Sequence, residues 1–371
     1  MAGVYFALGV VGATWFSRIP TEQLRLHLGT GRLGLALLGP PVGSVAASLA
    51  LPRLLHRWGA VRMVRVALVA CGGTLALLPL PRSLFGLLGA LLLFGVASGG
   101  LDVAMNANAL SLQHMMGRSV FGRLHAMWSL GGFAASGLAA LLVHAGVRVT
   151  ADLVATGIVV AVMAYPVTAG LRGAPDAAAR SGRGMWSRHP AVLVFAVVAL
   201  AAFVVEVAAA DWGGVFLARD DGASAGLAAG AYAAFSLPHF LARISGDPIV
   251  DRFGRRRLLV IGLVVAAAGF VLLVASPAAG IGVAGLSIAG LGVALVVPVA
   301  FSSAGAVPGV PGSAGLATAA GMGYVGWTAA PPVIGGLGSV AGLRVGMSLP
   351  ILLAVVGIVG LLRRGSWETG L

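Results

Sequence analysis

Twelve apolar runs, most of them near twenty residues long and parted by short arginine-bearing breaks, decide what this chain can fold into. A helix needs about 20 mostly apolar residues to cross the hydrocarbon core of a bilayer, and in that solvent every backbone polar group must be satisfied within the segment. The first six runs are Ala2–Phe16, Leu33–Leu51, Val61–Leu80, Leu84–Asn106, Gly122–Val143 and Thr150–Leu171. The second six are Val192–Phe216, Ala225–Gly246, Leu258–Ala275, Ala279–Ser302, Ala314–Leu337 and Leu343–Leu362. The first is short for a span, so either it tilts little and thins the bilayer locally or the start is placed too late in the chain.

Hydrophobic residues make up 59% of the chain and charged ones 9%, more apolar surface than a water-soluble domain can hide. The expected fold is therefore all-α and integral to the membrane, with about twelve spans. The 24 basic side chains are all arginine against 11 acids, a net +13. Because these arginines sit in short breaks between spans, they read as a topology signal and not as a nucleic-acid face. With the N-terminus inside, inward loops and tail hold sixteen arginines and outward loops seven, so both termini are expected in the cytoplasm. Cys71 stands alone, which removes any intrachain disulfide or thiolate zinc cluster, and its small apolar neighbours suggest inert packing.

The longest polar interval, Arg172 to His189, is rich in Gly, Ala, Arg and Ser and falls near mid-chain. It divides the sequence into a six-span bundle at 1–171, a cytoplasmic linker at 172–189 and a second bundle at 190–371. A repeat at an offset of 195 agrees: His56-Arg57-Trp58-Gly59 aligns with Asp251-Arg252-Phe253-Gly254, Gly95 with Gly290 and Gly131 with Gly326. Most of the 57 glycines lie inside spans, where small residues let helix backbones approach. Pro40, Pro41, Pro298, Pro331 and Pro332 are expected to kink their helices.

The segment Gly246-Asp247-Pro248-Ile249-Val250-Asp251-Arg252-Phe253-Gly254-Arg255-Arg256 follows the eighth span. It resembles the cytoplasmic loop signature of the major facilitator superfamily, Asp-Arg-x-Gly-Arg-Arg preceded by Gly. That resemblance implies two pseudo-symmetric six-helix bundles and a gating role for Asp247, Asp251, Arg252, Gly254, Arg255 and Arg256. The glycine supplies a tight turn, and the charges either latch helix ends together or simply anchor the loop at the inner surface. The matching loop keeps Arg57 and Gly59 but has His56 for the acid and Ala60 and Val61 for the paired basic residues. Leu101-Asp102-Val103-Ala104-Met105-Asn106-Ala107-Asn108 is similar to the fourth span of fucose-permease-like members. That likeness implies proton coupling at Asp102 and substrate contacts at Asn106 or Asn108. In the fucose permease this acid is paired with a first-span carboxylate, which Ala2–Phe16 does not contain.

Charge inside a bilayer is costly and rarely idle. Ser98, Asp102, Asn106 and Gln113 share one face of the fourth span, as expected of a helix lining an aqueous chamber. Asp102 is either a proton carrier there or a hydrogen-bonded helix contact. Glu206 is a second proton-coupling candidate, and Asp211 five positions on would point about 140° away on an α-helix. Asp211 and Trp212 form either part of the chamber rim or an interfacial anchor. Arg243 pairs with Asp247 one turn on or belongs to the latch. His125, near Trp128, is a substrate or proton-path candidate or a packing residue, and His239 is the same but less informative. Tyr324 and Trp327 could line the chamber.

No phosphate-binding loop, serine elbow, zinc motif or dinucleotide fingerprint occurs in the sequence. The expectation is a monomeric secondary transporter in the cell membrane, without cofactor or enzymatic activity, driven by protons or by its substrate's own gradient. Its partners are a small-molecule substrate, protons and the lipid bilayer, with uptake and efflux both open. An intramembrane enzyme or a non-transporting sensor lacks support from any paired chemistry at membrane depth.

Overall fold

The computed structural model describes residues 1–116, 121–171 and 186–363, except the side chains of Pro52, Arg53, His56, His114, Asp247 and Asp251. Arg118, most of the 172–189 linker and the tail from Arg364 onward lie outside the described residues.

Among the described residues, eleven helices are long and apolar enough to cross a membrane. They are α1 (Ala2–Arg25), α2 (Thr30–Leu51), α3 (Ala60–Leu77), α4 (Leu84–Gln113), α5 (Phe121–His144), α6 (Val149–Thr168), α7 (Pro190–Asp220), α8 (Ala225–Ile244), α9 (Arg255–Val274), α10 (Ala279–Gly305) and α12 (Leu343–Arg363). Between the last two runs α11 (Gly312–Ala341), a helix of thirty residues. Eight glycines and two prolines dilute its hydropathy, yet it packs along α7 and against the start of α2. Within each six-helix bundle the neighbours correspond: α2 on α4, α1 on α5 and α3 on α6 match α8 on α10, α7 on α11 and α9 on α12.

The repeat seen in sequence is a repeat of geometry. Gly59 and Gly254 both adopt positive φ, 76° and 72°, and both end a helix and start the next. A side chain in that left-handed region is strained, so the position favours glycine. A Cβ on Gly95 would overlap the carbonyl of Pro40, and one on Gly290 the carbonyl of Phe235, so α4 meets α2 as α10 meets α8. Pro40 and Phe235 are themselves 195 residues apart. Pro40 and Pro41 fall in the first turn of a restarted helix after a break at Leu37 and Leu38, where a missing N–H costs nothing.

Two readings of the first run change. α1 is 24 residues long and carries Arg18 and Glu22, so it is not short and does contain a carboxylate. The apolar pattern stops at Phe16 because Arg18 turns inward instead of ending the helix. Its Nε donates to Asp152 Oδ2 of α6 at 2.7 Å, with the two side chains 2% and 4% exposed. Arg243 is thus not the lone arginine within a span. Glu22 is fully buried and is bound to Arg25 at 2.6 Å.

Removing one member of a buried pair strands the other charge. Arg18→Ala is therefore expected to destabilise the protein by about 3–5 kcal/mol, and the double variant Arg18→Met/Asp152→Leu by clearly less. Reversible unfolding in detergent measures both; equal losses would mean that a stranded Asp152 carries no penalty.

Candidate functional site

The end of the molecule bearing the odd-numbered, arginine-poor loops is sealed between the two bundles. At the start of α2, Gly34 lies where a Cβ would meet the Pro331 carbonyl of α11 at 2.7 Å. A Cβ on Gly335 would in turn lie 2.6 Å from the Thr30 carbonyl. Across the other seam, Ser136 of α5 donates to the Ala229 carbonyl of α8 and accepts from the Ala233 N–H, each at 3.0 Å. Those backbone groups flank Gly230, where the helix of α8 is interrupted, so one hydroxyl satisfies both sides of the break. Below this seal, side chains midway along α4, α7 and α11 remain partly exposed and face the space between the two bundles, the place of the chamber expected from the sequence.

On the first bundle's wall, Asp102 and Asn106 stand one helical turn apart on α4. Asn106 Nδ2 donates to Asp102 Oδ1 at 3.0 Å, and the Tyr5 hydroxyl of α1 donates to Asn106 Oδ1 at 2.6 Å. Tyr5 also sits edge-on to His125 of α5, with ring centroids 5.1 Å apart. Asn108 faces away: it is 6% exposed and its amide donates to the Ala104 carbonyl of its own helix. Of the two asparagines, Asn106 is the one presented to the chamber.

Facing them, Tyr324 of α11 lies within electrostatic reach of Asp102. Its ring is 6.1 Å from Trp327 and 6.0 Å from Phe203 of α7, and Phe203 stacks on Phe301 of α10 at 6.3 Å. This wall is aromatic and comes from the second bundle.

Deeper in the second bundle a polar cluster surrounds Glu206. Arg243 Nη2 lies 3.2 Å from its Oε1, and His239 Nε2 lies 3.3 Å away without the alignment of a hydrogen bond. Arg243 also donates to the Ala294 carbonyl at 3.1 Å and has its guanidinium 6.0 Å from the Trp128 ring centre. Thus Arg243 is engaged with Glu206 and α10, and the side chain of Asp247 lies outside the described residues. His239, fully buried, reaches Ser129 Oγ of α5 through Nδ1 at 3.0 Å and so joins the two bundles.

α7 contains a π-helical turn at Ala208–Trp212. Its wider i→i+5 ladder reduces the azimuth expected between Glu206 and Asp211, and Tyr232 feels the field of both acids. Asp211 is half-buried and has no bonding partner among the described residues. Trp212 is neither an interfacial anchor nor a chamber contact. It is 0% exposed, and its ring lies 3.0 Å from where a Gly335 Cβ would be.

The loop residues are divided. Arg256 donates to the Leu361 and Leu362 carbonyls at 2.9–3.3 Å, closing the end of α12 within its own bundle. Arg252 stacks on Phe253, while Arg57 and Arg255 are exposed. The side chains of Asp247 and Asp251 are outside the described residues, so no latch to them is described.

The residues that sequence reasoning missed are Tyr5, Ser129 and Ser136, and it undervalued His239. Only His239 left a trace, one turn before Arg243 on the same face of α8.

No protein-family model matches the chain. It is 28% identical over 350 residues to an uncharacterized MFS-type transporter of Yersinia pestis, covering 94% of this chain and 91% of that one. It is 30% identical over 347 residues to an uncharacterized transporter, y4wD, of Sinorhizobium fredii, covering 93% and 92%. A crystal structure of the nucleoside transporter NupG, 14% identical, superposes with a TM-score of 0.75 over 98% of both chains, a likeness of fold. With twelve helices in two matching bundles and relatives aligned along nearly its whole length, this chain belongs to the major facilitator superfamily of membrane transporters.

Proposed function

We propose that this chain is a proton-coupled secondary transporter that moves a small solute across the cell membrane by alternating access. The observation that carries this reading is the linked Asp102–Asn106–Tyr5 group at mid-membrane, facing an aromatic wall from the opposite bundle. A carboxyl at that depth in a chamber can hold a proton, and its protonation alters the charge a moving bundle must carry. Glu206, bound to Arg243 and touched by His239, is the second coupling group, and Asn106, His125 and Asp211 are the polar groups available to substrate. The arginine excess puts the arginine-rich face and both termini in the cytoplasm, so the sealed end faces outward. Arg57, Gly59, Arg243 and the Asp247–Arg256 loop shape gating at the inner face, the 172–189 linker tethers two bundles at 1–171 and 190–371, and the protein works as a monomer.

In this reading Asp102→Asn abolishes pH-gradient-driven accumulation in proteoliposomes while leaving the amount of folded protein unchanged. Full accumulation by that variant would remove Asp102 from coupling.

Alternating access also requires α2 and α11 to part. A Gly31 Cβ would lie 3.3 Å from Ser339 Cβ, close to the separation a disulfide bridges. The pair Gly31→Cys/Ser339→Cys, in a Cys71→Ser background to remove the buried native thiol, should crosslink on oxidation. Transport is expected to fall to the liposome background and to return with dithiothreitol. Full-rate transport by crosslinked protein would overturn the mechanism.

A further inference from the structure

The chamber is lopsided in charge. Among its described residues it has three carboxylates, Asp102, Glu206 and Asp211, and one guanidinium, Arg243, a formal balance of one minus three. Arg243 lies 3.2 Å from Glu206 and answers that charge. Asp102 and Asp211 have no cationic side chain against them among the described residues. An unpaired carboxylate at mid-membrane costs about 2.5–3.5 kcal/mol on insertion scales, so a site of this kind is completed by a proton or by a positively charged solute.

Geometry says which of the two acids meets a solute. Asp102 Oδ1 is occupied by Asn106, and Asn106 Oδ1 by Tyr5, which leaves the second oxygen of Asp102 as an open acceptor. Across from it stand the rings of Tyr324 and Trp327, 6.1 Å apart, backed by Phe203 and Phe301. Tyr324 is 44% exposed. An anionic solute would need a free cation here, and Arg243 is committed. A polyol would need a ring of donors and acceptors, and the second wall presents mainly aromatic faces, with only the Tyr324 hydroxyl and the Trp327 N–H among its four rings. A carboxylate opposite aromatic faces instead suits an ammonium, whose charge is drawn both to the acid and to the π-clouds.

We propose that the chamber binds an organic cation, a protonated or quaternary amine on a compact ring. Its charge pairs with Asp102, and its body packs against Tyr324 and Trp327. This rests on the transporter reading above and names its substrate class. One carboxylate cannot hold a proton and an ammonium together. When the cation enters, the Asp102 carboxyl releases its proton to the water of the compartment that the chamber then faces. When the cation leaves, Asp102 takes a proton from the water it meets there. The outcome is exchange of cation for proton. Near Asp102 the other titratable groups are Tyr5 from α1 and Tyr324 from α11, with His125 from α5 beyond Tyr5. α2 and α3, which also pack on α4, carry their described arginines near helix ends, Arg32 at the start of α2 and Arg57, Arg62 and Arg65 around the turn that leads into α3.

The test uses the full chain in lipid nanodiscs, titrated calorimetrically with benzyltrimethylammonium, benzylamine and benzyl alcohol in weak buffer. Both cations are expected to bind more than about tenfold tighter than the alcohol. Asp102→Asn should cost the cations more than about tenfold and move the alcohol by less than about twofold. Proton release on benzyltrimethylammonium binding should accompany the wild type and vanish in Asp102→Asn. Trp327→Leu should weaken all three ligands, a check that does not depend on the acid. The proposal is overturned if the alcohol binds as well as the cations, if Asp102→Asn leaves cation affinity intact, or if none of the three binds. A proteoliposome arm separates the two readings. Cation that binds but is not moved by an imposed pH gradient refutes the transporter and keeps the site. A neutral solute moved by that gradient, with the cations ignored, refutes the cation class and keeps the transporter.

Discussion

Lipid gives a helix no reason to leave it for another helix, because hydrocarbon tails are as apolar as leucine. Everything that holds these twelve spans together must therefore come from close backbone approach and from polar groups that lipid cannot satisfy. The glycines provide the first. Gly43 and Gly95 between α2 and α4, Gly72 and Gly157 between α3 and α6, and Gly269 and Gly285 between α9 and α10 all sit where a Cβ would press into a neighbouring backbone. In such contacts dispersion acts between main chains, with little side-chain entropy lost.

The second comes as a clamp in each bundle, and the clamps are reversed copies. In the first, Arg18 of α1 binds Asp152 at the start of α6. In the second, Asp221 just beyond α7 binds Arg344 at the start of α12 at 3.1 Å, and Arg344 also takes the Asp220 and Ser276 carbonyls. The first and last helices of each bundle are thus tied at the arginine-poor end, with the sign of each partner exchanged. Symmetry of position did not require symmetry of charge, because a pair is satisfied either way round.

Much of this was readable from residues. Run length and the absence of aqueous composition mark the spans, and the Gly59/Gly254 and Gly95/Gly290 matches point to an internal repeat, which the backbone shows as equivalent turns and contacts. Asp102 with Asn106 was legible because both fall on one face of an apolar helix, where period alone decides. Partners across helices were not. Arg18 looked like a loop residue because hydropathy cannot tell a cation that ends a span from one buried against Asp152 on a distant helix. Trp212 looked like a belt residue for the same reason, since burial depends on α11 and not on its own neighbours. The azimuth between Glu206 and Asp211 was not legible because a π-turn has no reliable sequence mark, here a run of three alanines before the acid.

The distribution of ion pairs then separates what is rigid from what can move. All four arginine–carboxylate pairs among the described residues, and the His239–Glu206 contact, lie within one bundle or the other. The described links across the seam are of another kind: glycine contacts between α2 and α11, the Ser136 hydroxyl on the α8 backbone, Ser129 against His239, and ring contacts of Phe16 with Tyr232 and of Trp128 with the Arg243 guanidinium. Parting an ion pair inside a membrane would leave charges unpaid on both sides, at several kcal/mol each. Parting a hydroxyl contact in a chamber that admits water costs far less, since water replaces the partner. A seam without ion pairs between two charge-clamped bundles is what a rocking motion needs, and at His239 a cross-seam hydrogen bond meets Glu206, the acid that Arg243 answers.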